Sequence, residues 1–287
     1  MKSISISKIA LIGLMFVLIL AGGVFYFYKN RINASTNQVP TPTQAVSSTP
    51  VSEAKNDDIK ITFSSVPILM YHYIRTVTDP NDTLGANLSV SPENFRKQLN
   101  YLVANDYQSI SLQQLRDGFN GTYKIDVGKK PIVITFDDGY NDAYTQAFPI
   151  LQKHGMIGVF YIISGQIDQN ERMTKDQIIE LDKSGMVIGS HTVSHPDLTA
   201  LSAENLSKQL SDSKSLLEQL VGHPIYDFCY PAGKYKYNDS IISILKSTGY
   251  ESAVTTKNGI SDTDSSLYEL PRIRVQNDTN LENVLEQ

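Results

Sequence analysis

PIVITFDDG, Pro131 to Gly139, is an apolar, β-branched run that ends in two adjacent carboxylates. The run reads as a buried strand. Successive side chains on an extended strand point to opposite faces, so one acid can bind a metal while the other looks elsewhere. Gly139 lets the chain turn sharply enough to keep both near one pocket. The plainer account of an Asp-Asp pair is a solvated turn or a helix cap, with Asn141 or Asp142 capping the helix that follows.

Working outward, PILMYHY, IGVFYII, MVIGS, YDFCY, ESAVTT and IRV are further short apolar runs bounded by Gly, Pro or polar clusters, and read as strands. Helices fit between them. SPENFRKQLNYLVAND opens with Ser91 as N-cap and Pro92 in its first turn, TKDQIIELDKSG carries a Thr174–Gln177 capping box and ends at Gly185, and AENLSKQLSDSKSLLEQLVG stops at Gly222. Strand and helix in alternation predict an α/β fold with parallel strands, as a doubly wound sheet or a barrel. Both place chemistry at the carboxyl ends of strands. Asp137 and Asp138, HTVSH (His191 to His195) and YPAG (Tyr230 to Gly233) all follow strand runs, and Arg272 and Arg274 flank Ile273 in the last one. They are expected to converge on one rim.

The chain is 287 residues long, 41% hydrophobic, with a formal net charge of -5, so nothing in the balance asks for nucleic acid as partner. One cysteine, Cys229, excludes an internal disulfide and reads as a buried small side chain rather than a nucleophile. Ile9 to Tyr28 is 20 residues without a charge, which as a helix reaches roughly 30 Å, the hydrocarbon thickness of a bilayer. The stretch is long for a signal peptide and no clear small-x-small site follows, so an uncleaved single-pass anchor is preferred to a cleaved one. Residues 1–8 would stay in the cytoplasm, 29–60 form a disordered Ser/Thr/Pro-rich stalk, and 61–287 form a folded domain outside the cell membrane.

There are 5 histidines. In HTVSH a second imidazole four positions after the first shares one side of a helical turn with it, a spacing that metals use. Two polar surface histidines in a loop would look the same. A carboxylate from the neighbouring rim would complete an open site of two neutral imidazoles and one Asp, with a position left for water. His154 and His223, at a helix end and in a loop, read as capping or solvent-facing groups. Tyr140, Tyr230 and Tyr235 are candidates for ring stacking on a ligand at the rim, although most tyrosines in such a chain simply pack.

TFDDG (Thr135 to Gly139), HTVSH and YPAG together resemble, in order and separation, the first three motifs of the NodB-homology polysaccharide deacetylases, carbohydrate esterase family four. PILMYHY, GVFYIISGQI, GYESAVTT and LPRIRV extend the resemblance from Val66 to Val275, toward the poly-N-acetylglucosamine deacetylase subgroup. The resemblance implies a distorted (β/α) barrel and a divalent metal, zinc with cobalt or nickel as substitutes, held by Asp138, His191 and His195. Asp137 would be the general base, and the backbone N–H of Ala232, beside Tyr230, would face the oxyanion. Two family groups are absent: Cys229 stands where many relatives have an arginine that orients the base, and no histidine follows His223 to serve as acid. Arg272, with Arg274 on the same face of a period-2 strand, is expected to replace the first, and His72 of YHY the second. The plainer accounts are a surface ion pair for the arginines and a structural hydrogen bond for His72.

The expectation is therefore a monomeric, membrane-anchored hydrolase that releases acetate from N-acetylglucosamine units of a cell-surface polysaccharide, poly-N-acetylglucosamine or peptidoglycan. The same metal chemistry permits an O-acetyl glycan esterase. A glycan-binding relative without turnover would also fit the two missing groups, but a binding module has no use for the base Asp137.

Overall fold

Strands of two to seven residues carry the frame of the protein, which a computed structural model describes over residues 60–231 and 239–285. The strands are β1 (Ile68–Tyr71), β2 (Tyr107–Ser109), β3 (Lys130–Phe136), β4 (Val159–Ile162), β5 (Val187–Ser190), β6 (Asp227–Cys229), β7 (Ser252–Val254) and β8 (Ile273–Arg274). All pair in parallel, in the order β7-β6-β5-β4-β3-β1-β8, with β2 alongside the first half of β3. The sheet curls until its edges share one stretch of chain. Ala253 N–H donates to Leu267 O at 2.8 Å and Thr255 N–H to Leu270 O at 2.9 Å, and three residues after Leu270 Ile273 is in register with Leu69 of β1. A curled parallel sheet is consistent with the expected distorted barrel.

Period-2 alternation sorts each strand between two cores. On β3, Ile132, Ile134 and Phe136 join the large cluster under the helices, while Val133 joins a smaller cluster that also takes Ile68, Val159, Tyr161, Cys229, Val254 and Leu270 from across the sheet. Residues from opposite parts of the sheet meet only inside the curl, so the second cluster fills its interior. Thr135 continues the inward parity, and so does Asp137. Counting the same way, Ile68 puts His72 inward, and Ile188, which faces the helices, puts His191 inward.

The helices form where the caps predict. α1 (Pro92–Ala104) starts from Ser91, whose Oγ accepts from Asn94 N–H, and α2 (Leu112–Phe119) from a Ser111–Gln114 capping box. Sequence reading passed over α2 and β2, which are short. After β3 the chain makes a wide π turn, Ala143–Ala147, that runs into α3 (Phe148–Lys153). Asp142 sits at its start without a side-chain cap bond, because its φ and ψ of -69° and -25° are already helical whereas a capping residue needs an extended backbone. α4 (Lys175–Lys183) has the expected Thr174–Gln177 box, and α5 (Ala203–Val221) ends at Gly222, which takes φ +83°. α6 (Asp239–Thr248) follows. On α5, Leu206, Leu210, Ser213 and Leu217 form the buried stripe; burial of each leucine contributes roughly 1.5–3 kcal/mol.

Among the described residues no helix is long and apolar enough to cross a membrane. The expected anchor at residues 9–28 lies outside the described residues, as does the stalk up to residue 59.

Candidate active site

Inward parity at the carboxyl ends of β1, β3 and β5 brings His72, Asp137 and His191 into the mouth of the curl. Alternation alone would turn Asp138 away. It does not, because Asp138 and Gly139 both take left-handed backbone angles, φ +74° and +69°, and swing the second carboxylate back over the same opening. The turn that sequence assigned to Gly139 therefore begins one residue earlier, at an aspartate.

His191 and His195 are also arranged differently from the helical turn expected of their spacing. HTVSH is a loop with left-handed residues at Thr192 (φ +67°) and His195 (φ +57°). It is locked by its own backbone donors: His195 N–H reaches Thr192 Oγ1 at 2.9 Å, and Val193 and Ser194 N–H reach Gln209 Oε1 of α5 at 3.0 and 3.1 Å. From the other side, Ser164 and Gly165 N–H donate to the carbonyls of Thr192 and Val193. A Cβ at Gly165 would stand 2.6 Å from the Val193 oxygen, so only glycine permits this approach.

Asp138 Oδ1 lies 3.3 Å from His191 Nε2 and 3.5 Å from His195 Nε2, with the two rings 4.8 Å apart. His191 Nδ1 is 2.7 Å from the carbonyl oxygen of Cys229, which can only accept, so Nδ1 carries a proton and Nε2 is the nitrogen left to face the carboxylate. Burial works against charge on His191, yet Cys229 and Asp138 outweigh it and raise its pKa well above the ordinary imidazole value. His195 is pushed down, by burial and then by the neighbouring His191. Burial would raise Asp138, but its imidazole neighbours hold it far below the usual carboxylate range.

Asp137 has a different environment. Arg272, fully buried, grips it with both Nη atoms, donates through Nε to Thr255 O at 2.7 Å, and touches Thr135 Oγ1 at 2.9 Å and Cys229 Sγ at 3.3 Å. Burial would raise the Asp137 carboxyl, but Arg272 outweighs it and holds the pKa at about 2. His72 Nε2 stands 3.8 Å from Asp137 Oδ2, and burial lowers its pKa. The mouth thus holds two electrostatically distinct acids: one faces two imidazoles, and the other is locked to a guanidinium with a third imidazole beside it.

The sequence profile of the polysaccharide deacetylase family matches residues 124–253. YxkH of Bacillus subtilis strain 168, a protein provisionally named a polysaccharide deacetylase, is 32% identical over 216 residues, 74% of this chain and 72% of the relative. The chain belongs to the polysaccharide deacetylase family. The Streptococcus pyogenes deacetylase PplD, solved in complex with acetate, superposes on this deacetylase with a TM-score of 0.71 at 32% identity, covering 77% of this chain and 97% of PplD. The poly-beta-1,6-N-acetyl-D-glucosamine N-deacetylase of Staphylococcus epidermidis is 27% identical over 248 residues, 78% of this chain and 83% of the relative.

The donor set of the deacetylase fits a divalent cation. Asp138, His191 and His195 each offer one ligand atom, all within 4.8 Å of one another. With His191 Nδ1 committed to Cys229, the lone pair on Nε2 and the carboxylate oxygen point at the same space, which a proton or a cation must fill. Two imidazoles and one carboxylate suit zinc and its neighbours.

Other predicted residues fall elsewhere. Tyr230 is 1% exposed, packs edge-on against Phe228 and donates its hydroxyl to Tyr268 O at 3.0 Å, so its ring cannot stack on a sugar. Parity explains this: Cys229 faces inward, so Phe228 and Tyr230 face the helices. Ala232 and Tyr235 lie outside the described residues. Arg274 does not join Arg272 on Asp137; it is exposed, and its charge bears on His72. Cys229 is fully buried, and burial raises its thiol pKa. His154 bonds Ile150 O and Asn100, and His223 bonds Asp182, both away from the mouth. Sequence reading missed Arg172, whose Nη1 donates to Asp138 O at 2.9 Å. It lies 34 residues from its target, beyond the reach of any local pattern.

Proposed function

We propose that this deacetylase hydrolyses the acetamide of N-acetylglucosamine units in a cell-surface polysaccharide, from a catalytic domain held outside the cell by the segment at residues 9–28. The observation that carries the chemistry is the single mouth in which Asp138 Oδ1 faces both imidazole Nε2 atoms while Asp137 remains outside that trio, paired to Arg272. Poly-N-acetylglucosamine is the first candidate polymer, supported by the name of the S. epidermidis relative; peptidoglycan offers the same acetylated unit. The uncharged run at the N-terminus supports the anchored location.

Asp138, His191 and His195 would hold the cation, zinc in the first instance. When bound, it would acidify water and polarise the acetamide carbonyl. Asp137 accepts a proton from the attacking water at a carboxylate that Arg272 keeps ionised. The water oxygen bonds to the acyl carbon, the C–N bond breaks, and acetate leaves. The departing amine needs a proton, and the one collected by Asp137 has a short path: His72 Nε2 is 3.8 Å from Oδ2. His72, with its lowered pKa, starts neutral and can take that proton and deliver it to the nitrogen.

The test is acetate release by the full chain from β-1,6-linked N-acetylglucosamine oligomers and from peptidoglycan, with added zinc and with chelator. Release that depends on zinc and disappears in Asp137→Asn is the expected result. Release that survives both chelation and the substitution overturns the mechanism. Recovery of the chain in the membrane fraction, with its catalytic domain cleaved by protease added to whole cells, checks the location.

A further inference from the structure

Asp138 presents its carboxylate from a backbone conformation that side chains avoid, since a left-handed φ crowds Cβ against the carbonyl oxygen. One neighbouring loop holds it there. Met173 N–H donates to Gly139 O at 3.0 Å, Asn141 N–H to Glu171 O at 2.9 Å, and Tyr140 and Arg172 form an antiparallel bridge. The fourth contact comes from a side chain: Arg172 Nη1 donates to the carbonyl oxygen of Asp138 itself at 2.9 Å.

The guanidinium is fixed in turn. It lies 4.0 Å over the ring of Tyr140, which stacks on Tyr73 at 3.7 Å and 26°, and the guanidinium of Arg75 lies 3.8 Å over Tyr73. Cation, two rings and cation make a four-layer stack beside the mouth. A planar guanidinium pinned on a ring keeps its donor direction, which a flexible ammonium does not.

We propose that Arg172 is a positioning residue for the metal-ligating carboxylate. Pinned on Tyr140, it fixes the Asp138 peptide, and so the direction in which Oδ1 faces His191 and His195. The inference rests on the reading of Asp138, His191 and His195 as metal ligands. Its sign is informative. A cation next to a second cation weakens binding by charge alone, so if Arg172 acted only as a charge, its removal would tighten the metal. If it acts as a clamp, its removal loosens the metal.

The experiment is a titration of the metal-free full chain with Co2+, following the ligand-field absorption of the bound ion and its dissociation constant. Arg172→Ala is expected to weaken Co2+ by about 10–100-fold, the usual effect of losing an outer partner of a ligand, and to shift the bands. Arg172→Lys, which keeps the charge without the plane, should fall between Arg172→Ala and wild type. Tyr140→Phe, which keeps the ring, should bind as wild type does. Should Arg172→Ala fail to fold, Tyr140→Leu removes the platform and leaves the arginine, and the same weakening is expected. Unchanged or tighter Co2+ binding with unshifted bands in the folded variant overturns the clamp. Asp138→Asn separates the two ideas: if it binds Co2+ like wild type, the ligand assignment fails; if it loses Co2+ while Arg172→Ala does not, only the clamp fails.

Discussion

Arg272 holds both carboxylate oxygens of Asp137, Nη1 to Oδ1 at 2.8 Å and Nη2 to Oδ2 at 2.7 Å, and neither side chain is more than 3% exposed. On the proposed reading of Asp137 as the base, the orienting charge that the motif resemblance expects at Cys229 comes instead from Arg272, just before β8. The Asp137 pKa falls from 3.8 to about 2, so the pair stabilises the fold above about pH 4, and its contribution fades as pH falls toward 2. Arg272→Ala leaves a buried carboxylate unpaired and should destabilise the protein by about 3–5 kcal/mol in denaturant unfolding. Arg272→Lys should fold, but one ammonium cannot serve both carboxylate oxygens, Thr255 O and Thr135 Oγ1 at once. Its Asp137 should titrate higher, moving the acid limb of kcat upward in pH; an unmoved limb would show that Arg272 does not tune the base.

The two acids should separate in metal content. Asp137→Asn is expected to retain one zinc per chain while kcat drops by about 10²–10⁴, the usual range for a lost general base. Asp138→Asn should lose zinc by more than the roughly 10–100-fold that an outer-shell loss costs. Elemental analysis after dialysis, alongside acetate release, checks both. Equal zinc loss in the two variants would mean that Asp137 is also a ligand.

His72 offers a kinetic test. Its Nε2 lies 3.8 Å from Asp137 Oδ2, too long for a strong hydrogen bond in this state and close enough for a proton to pass once substrate tightens the site. His72→Gln should lower kcat by about 10²-fold while leaving KM and zinc content near wild type. Deacetylation at the wild-type rate would make His72 a structural residue under the rim.

How much of this was legible in the sequence depends on range. The strands and the capped helices were, because period-2 runs and Ser or Thr caps are local signals: Ser91, Thr174 and Gly222 each sit at the predicted boundary. The convergence of the Asp137–Asp138 and His191–His195 segments on one rim follows from strand-end placement in a parallel sheet. What hid was set by backbone angles and distant partners. Nothing in TFDDG says that Asp138 rather than only Gly139 turns left-handed, or that HTVSH is a loop pinned by Gln209 rather than a helical turn. Tyr230 was placed at the rim by its motif, yet strand parity sends its ring to the helix side. Arg172 carries no local mark at all.

Asp142 gives a prediction about stability alone. Burial raises its carboxyl pKa from 3.8 to about 6, against the backbone donors of Ile74 and Ala143, and its Oδ1 is buried without a hydrogen-bond partner. A raised carboxyl pKa means that the folded state binds the proton more tightly than the unfolded chain. Stability is therefore full below about pH 4, where both states are protonated. It falls as pH rises through the window from 3.8 to about 6, in which the unfolded chain ionises first, and stays reduced above it. A shift of this size is worth about 3 kcal/mol at most, and partial exposure of the side chain brings the figure to about 1–3 kcal/mol. Asp142→Asn removes the buried ionisation while keeping an acceptor for the backbone donors. Urea unfolding should show the variant more stable than wild type by about that amount at pH 8 and nearly equal to it at pH 4. A variant that gains nothing at pH 8 would show that the Asp142 carboxylate finds a compensating donor when it ionises.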